Sequence, residues 1–251
     1  MYIYSCAPDW ESMLTCIYEA WSSNRGHNNI RLELEPINQY ELFSEYIHID
    51  ADSSKAEKVM DSINLKISPA FYNELVYVSF GYEPDRLDII YRMLLLGFTY
   101  GPCALEMTQY APVARFFEIS RRIKNEAHSF IEFLRFHEIR KSVYVAHFEP
   151  KSRIAVTLGM HFSDRMPSEY WMIIDDVHHE AIVHPRDEDY YLRILNDDEY
   201  QMLLETEHEN DEYTDLWQTF FDTIAIKERE NYRCQRTLLP KWKRKHMVEF
   251  K

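Results

Sequence analysis

Glycine is scarce in this sequence, and its scarcity excludes several common classes of enzyme. The chain of 251 residues has 5 glycines, where an average usage of about 7% would give roughly 18. Phosphate-binding loops need clustered glycines, because backbone N–H groups must approach the anion closely. The glycines here are scattered along the chain. We therefore expect neither a P-loop NTPase, nor a standard dinucleotide enzyme, nor an ordinary α/β-hydrolase.

Cysteine pairs and long apolar runs are also missing. The 4 cysteines have no C-x-x-C or other metal-binding spacing, which predicts reduced thiols and excludes a standard radical-SAM cluster motif. The longest apolar run, near residues 93–96, is too short to span a bilayer. The first residues have no basic or long apolar region of a signal peptide. We expect a cytoplasmic protein with no membrane contact, and we predict no cofactor.

Hydrophobic periodicity predicts several helices and a few strands. Apolar residues recur at helical spacing over residues 10–21 and 113–134. Ser68 followed by Pro69 is typical of a helix start, with a capping side chain before a proline in the first turn. Short apolar runs over 143–148 and 170–175 predict strands. The helical pattern covers more of the chain than the strand pattern.

The predicted fold class follows from this balance. We expect an α+β protein that is predominantly helical, with a small antiparallel or mixed sheet. An all-β fold needs many tight turns, and the low glycine content argues against it. We interpret residues 1–251 as a single unit with two candidate lobes. The helix-rich lobe covers 1–110, and the lobe over 111–251 holds the long helix, the sheet and the basic C-terminus.

Charge is distributed unevenly along the chain. The formal net charge is −14, but residues 185–215 carry −10 and residues 227–251 carry +6. Cations neutralise phosphates and aromatic rings stack on bases, so this basic C-terminal segment (227–251) is a candidate nucleic-acid interface. The alternative is a solvated tail, or a segment that pairs with the acidic stretch 185–215. The candidate contact residues are Arg229, Asn231, Arg233, Arg236, Lys241, Trp242, Lys243, Arg244 and Lys245.

A second candidate site consists of polar side chains before and within the predicted sheet. His128 and Arg135 share one helix face with Glu132, which permits either acid–base chemistry or simple local ion pairs. The six-residue polar set proposed for this site is Glu126, His128, Arg135, His161, Arg165 and Asp175. Asp176, His178 and His179 are further potential ligands. No spacing matches a known metal motif, so we assign no metal. An anion site built by Arg135 and Arg165 is the alternative to a metal here.

Several segments resemble one bacterial family. Residues 14–21, LTCIYEAW, resemble the start of proteins described as "probable DNA metabolism protein", which contain the domain of unknown function DUF4130. Further similarities follow in order along the chain: Glu126-x-His128 with Phe133-Leu134-Arg135-Phe136, His161-Phe162-x-x-Arg165, Trp171-x-Ile173-Ile174-Asp175 and Ile226-x-Glu228-Arg229-x-Asn231. Together these segments span nearly the whole chain.

The resemblance implies a link to DNA. Members of the family occur beside a radical-SAM protein of DNA modification or repair, and some are fused to a uracil-DNA-glycosylase-like domain. The chain is thus expected to be an accessory protein in bacterial DNA repair or base modification. Its expected partners are the radical-SAM protein, DNA, and a uracil-DNA-glycosylase-like protein.

Two other functions stay open, and with them the question of whether the protein is an enzyme. One is a nucleic-acid hydrolase or nuclease that uses the six-residue polar set. The other is a protein–protein adaptor without nucleic-acid contact, which would dock through the acidic stretch 185–215.

Overall fold

The chain folds into two compact units, residues 1–123 and 124–251. The computed structural model describes residues 1–140, 142–206, 216, 219, 220, 223, 231–247 and 249. Helices dominate and are combined with two small sheets, which confirms the predicted α+β class. Within the described ranges, no helix combines the length and the apolarity that crossing a membrane would require.

The first unit contains a three-stranded parallel sheet. Its strands are β1 (Tyr2–Cys6), β2 (Ile30–Leu34) and β3 (Glu45–His48), in the order β2-β1-β3. Both neighbours pair in parallel with β1, which is buried from Ile3 to Cys6. Parallel pairing is not part of the prediction. It arises because a helix crosses over between β1 and β2 and returns the chain in the same direction.

Five α-helices belong to the first unit or begin in it, and the first and the fourth contact its sheet. Their bounds are α1 (Trp10–Ser22), α2 (Ser53–Lys66), α3 (Pro69–Ser79), α4 (Arg86–Tyr100) and α5 (Ala111–Phe133), of which α5 continues into the second unit. The predicted start at Ser68 is confirmed, since its side chain accepts the N–H of Phe71 and Pro69 opens the helix. Asp9 and Asp52 cap α1 and α2 in the same way.

The second unit contains a five-stranded mixed sheet in the order β4-β5-β6-β7-β8. Its strands are β4 (His137–Arg140), β5 (Val143–Phe148), β6 (Tyr170–Asp175), β7 (Glu180–His184) and β8 (Tyr191–Ile194). Only β5 and β6 pair in parallel, and α6 (Ala155–Arg165) connects them. The carboxyl ends of β5 and β6 therefore meet at one edge of the sheet, where ligands of such sheets commonly bind.

Two helices and a C-terminal turn complete the described part of the second unit. They are α7 (Asp197–Thr206), α8 (Tyr232–Leu238) and a 3-10 turn over Lys241–Arg244. Leu239 and Met247 are buried, and the ring of Trp242 meets that of Phe130 edge to face at 6.0 Å between centroids. Residues 239–247 thus pack on the body of their own unit rather than extending from it as a tail.

Candidate functional site

Glu126, the first member of the six-residue polar set, supports a loop. It lies on α5 with 6% of its surface exposed. Its carboxylate accepts the backbone N–H groups of Lys151 at 2.6 Å and Ser152 at 3.3 Å, in the connection from β5 to α6. A buried carboxylate that accepts two backbone donors satisfies groups that would otherwise be costly to bury. Glu126 therefore fixes the course of this loop.

Three other members of the set lie at the surface. His128 on α5 has 73% of its side chain exposed and lies 3.2 Å from Glu132, the neighbour that helical spacing predicts. His161 and Arg165 are exposed on α6. The contacts of His128 are those of a surface ion pair, which contributes little to stability.

Asp175 and Arg135 each have a separate partner. Asp175, fully buried at the end of β6, accepts the N–H groups of Val177 and His178 at 3.0 Å and contacts the His178 ring at 2.7 Å. It thereby orders the turn from β6 to β7. Arg135 donates to Glu249 at 2.7 Å and so ties the end of the chain to its unit.

The contacts described above for Glu126, Asp175 and Arg135 are all with residues outside the set. The same holds for the pair of His128 with Glu132. No three of Glu126, His128, His161 and Asp175, all of which the structure describes, bring ligand atoms within 4.8 Å of each other. A shared metal centre built from these four is therefore not formed in the described part of the chain. A common catalytic role for the whole set stays a prediction.

A different group of polar residues meets at the carboxyl ends of β5 and β6. We call it the β5/β6 edge; it consists of His147, Glu149, Asp176 and His246. Asp176 directly follows β6, and its Oδ1 lies 2.8 Å from Nδ1 of His147 in β5. Its Oδ2 lies 3.2 Å from Nε2 of His246, which comes from the C-terminal segment. The two imidazole rings stack with 5.9 Å between centroids.

Burial makes this edge chemically unusual. The side chains of His147 and Asp176 are 1% and 5% exposed. Burial alone raises the pKa of the Asp176 carboxyl, but the two histidines beside it outweigh that effect and hold the pKa below its usual range. Asp176 is therefore an anion in a largely water-excluded position.

Glu149 supplies a second carboxylate to the edge. It directly follows β5, and ligand atoms of Glu149, Asp176 and His246 all lie within 4.8 Å of one another. Lys245 pairs with Glu149, and this hydrogen bond raises the pKa of the lysine. The edge thus combines two carboxylates and two imidazoles, and the Lys245 ammonium pairs with one of the carboxylates.

The sequence points to only one member of this edge, Asp176. Glu149, His147 and His246 are absent from the predicted sites, and His246 is separated from Asp176 by 70 positions of sequence. One signal was available, because His147 interrupts an otherwise apolar strand, VYVAHF. A buried polar residue in such a strand needs a partner. Hydrophobic periodicity does not predict which residue that partner is, because the answer depends on how distant segments of the chain come together.

The predicted nucleic-acid residues divide into exposed and engaged groups. Asn231 caps α8 by accepting the N–H of Cys234 at 3.0 Å. Arg233, Arg236 and Lys241 are exposed, and no ion pair to another described residue involves them. Arg229 lies outside the described residues. The first group therefore offers three cations to solvent.

The engaged group lies closer to the sheet. Arg244 donates to the carbonyl of Leu239 at 2.7 Å, and Lys245 pairs with Glu149. The Lys243 ammonium lies 5.2 Å from the centroid of Trp242 and 5.6 Å from that of Phe130. Burial lowers the pKa of Lys243. These three cations and Trp242 hold the segment in place.

The chain was compared with known protein families. The sequence model of DUF4130, a domain of unknown function, matches residues 84–249. This range includes the whole sheet of the second unit and the β5/β6 edge. No curated protein matches the chain.

Proposed function

The chain belongs to the DUF4130 family, and we propose that it is an accessory protein of bacterial DNA metabolism, active in repair or base modification. We propose further that it contacts nucleic acid through the exposed part of its basic C-terminal segment. The resemblance to "probable DNA metabolism" proteins supports the first statement. The exposed cations support the second.

The observation that carries the nucleic-acid proposal is the placement of three cations. Arg233 and Arg236 are three positions apart on α8, so they share a face, and Lys241 is exposed just beyond the helix. The exposed ring of Tyr232, with 62% of its surface accessible, lies on the same helix. Cations beside an aromatic ring fit a phosphate backbone with unstacked bases.

The main alternative to nucleic-acid contact is that the acidic stretch 185–215 pairs with these cations. Within its described part, residues 185–206, Arg193 pairs with Glu199, while Arg233, Arg236 and Lys241 form no ion pair with a described residue. The described contacts therefore leave these three available to an external anion. This favours nucleic-acid contact over internal neutralisation.

A salt-dependent binding titration tests the proposal. The double variant Arg233→Gln/Arg236→Gln would be compared with the unmodified chain on single- and double-stranded DNA at several salt concentrations. Each lost phosphate contact lowers the salt slope on duplex DNA by about 0.9, so we expect a drop of about 1.8. Absent binding, or binding that does not depend on salt, would contradict the proposal.

A matched control keeps the charge change constant. Arg153→Gln/Arg193→Gln also removes two cations, but Arg153 pairs with Glu180 and Arg193 with Glu199. We expect this control to bind DNA with an unchanged salt slope. An equal loss in both double variants would mean that net charge, and not the α8 face, governs binding.

The proposed protein partners need a separate experiment. We propose that the chain acts with a radical-SAM protein, and in some settings with a uracil-DNA-glycosylase-like protein, because the family resemblance implies these associations. Co-purification from a host that encodes both would test it. We expect the radical-SAM protein to co-purify with the chain. Failure to recover it at physiological salt would contradict this part of the proposal.

A further inference from the structure

We propose that the β5/β6 edge binds one divalent metal ion of the zinc class, with Glu149, Asp176 and His246 as its ligands. The inference concerns a site distinct from the exposed cations of α8. It does not depend on nucleic-acid binding or on any protein partner.

The spacing of the ligand atoms supports a metal centre. The three side chains bring one ligand atom each within 4.8 Å of the others. Asp176 Oδ2 and His246 Nε2 lie 3.2 Å apart. Two ligands bound to zinc at ~2.0–2.1 Å with a tetrahedral angle lie about 3.3 Å apart. This pair is therefore already at the separation that one shared ion requires.

The state of His246 is a second and independent observation. Its Nε2 atom is buried, yet it forms no hydrogen bond with any described residue. The nearby oxygen of Asp176 is close enough but is not placed as a hydrogen-bond acceptor. A buried nitrogen without a hydrogen bond is costly. Once Nε2 is deprotonated, a cation would be bound by both the imidazole and the carboxylate and would satisfy both atoms.

His147 holds the metal-facing carboxylate in position. Its Nδ1 lies 2.8 Å from Oδ1 of Asp176, which leaves Oδ2 directed toward His246. Hydrogen bonds from an outer shell commonly orient ligating carboxylates in this way. We assign His147 as a positioning residue and not as a ligand.

The ligand set selects the chemical class of the ion. One imidazole and two carboxylates provide nitrogen and oxygen donors without a thiolate, a set that suits zinc. At such a site zinc also binds more tightly than manganese or ferrous iron. With three protein ligands, a fourth tetrahedral position stays open for water or an incoming group.

The ammonium group of Lys245 competes with the metal ion for Glu149. This group pairs with Glu149 in the described structure. A metal bound by Glu149 would release Lys245 or share the carboxylate with it. Removing the lysine charge should therefore strengthen metal binding, whereas a lysine with no relation to the site would have no effect.

Zinc titration of the full chain tests the proposal. After treatment with a chelator, the protein is titrated with zinc in competition with a chromophoric chelator. We expect one zinc per chain, and affinity at least tenfold weaker in His246→Gln, because even outer-shell losses cost about 10–100-fold. Asp176→Asn keeps the size of the side chain and an acceptor for His147, and should weaken binding similarly. Full zinc binding in both variants would overturn the proposal.

Two further variants sharpen the result. His128→Gln removes a histidine that lies 3.2 Å from a carboxylate at the surface, and we expect unchanged zinc affinity. Lys245→Gln should bind zinc severalfold more tightly than the unmodified chain. Equal losses in His128→Gln and His246→Gln, or weaker binding in Lys245→Gln, would contradict the assigned ligands. Circular dichroism would verify that each variant is folded.

Discussion

The two sheets of this protein place similar polar groups at the carboxyl ends of parallel strands. In the first unit, Glu35 follows β2, accepts a hydrogen bond from Ser5 at 2.7 Å and lies 2.7 Å from Nδ1 of His48 at the end of β3. In the second unit, Asp176 follows β6 and lies between His147 and His246. Each edge thus places a carboxylate beside histidine.

The two edges differ in exposure. The His48 side chain is 54% exposed, whereas that of His147 is 1% exposed. Water can replace any partner at the first edge, so its contacts resemble those of an ordinary surface pair. At the second edge the chain's own C-terminal segment takes the place of water. The two edges contain the same types of residue, so it is the burial of His147 and Asp176 that makes the second edge a candidate site.

Deleting each carboxylate gives the largest expected contrast. Asp176→Ala leaves His147 buried without its carboxylate partner, and we expect a loss of about 2–3 kcal/mol in the free energy of unfolding. Glu35→Ala should cost much less, because water solvates His48. Urea unfolding of both variants provides the measurement. Similar losses would remove the distinction between the two edges.

Glu126 is another buried carboxylate of the second unit. We expect Glu126→Ala to cost about 1–3 kcal/mol, because the N–H groups of Lys151 and Ser152 lose their acceptor. If Glu126 only supports the loop, any zinc or DNA affinity should survive in the folded protein. Thermal unfolding together with the two binding titrations measures this. Selective loss of binding with no loss of stability would favour a direct role instead.

The pH dependence of stability should differ in direction between the edges, with smaller effects. The pKa of Asp176 is lowered in the folded chain, so its contribution is present above the unfolded value of about 3.9 and is lost as the pH falls through the folded value. The pKa of His48 is raised by its hydrogen bond to Glu35. Its contribution is therefore present below about 6.5 and is lost as the pH rises through the folded value.

Melting temperatures of paired variants measure these two trends. The difference between the unmodified chain and Asp176→Asn should shrink in acid. The much smaller difference for Glu35→Gln should shrink in alkali, where His48 loses its proton, and also in acid, because the hydrogen bond from His48 lowers the pKa of Glu35. A Glu35→Gln difference that persists in alkali, or an Asp176→Asn difference that persists in acid, would contradict the described contacts.

Local patterns predicted the elements better than their assembly. The strand expected over 143–148 is β5, and that expected over 170–175 is β6. The helix start at Ser68 is confirmed because capping depends on a few adjacent residues. β4 was missed because it follows α5 closely and is only four residues long. The pattern for such a short strand is weak.

The candidate site was harder to predict because its residues are distant in sequence. His128, chosen for its spacing from Glu132, forms that helical pair and remains a surface group. Asp175 and Asp176 are adjacent and chemically identical, yet one orders a turn and the other faces two histidines. Their roles differ because Asp176 lies beside His147 of β5 and beside His246, which the described C-terminal residues bring to the sheet. The net charge of the C-terminal segment likewise did not reveal which cations are engaged.

X-ray absorption spectroscopy of the zinc-loaded chain tests whether Glu149, Asp176 and His246 bind the ion, because it reports the atoms bound to the metal. If the β5/β6 edge binds the metal, the spectrum will show only nitrogen and oxygen ligands at ~2.0–2.2 Å, with an imidazole contribution that disappears in His246→Gln. A sulfur ligand at about 2.3 Å would place the ion on cysteine and contradict the account.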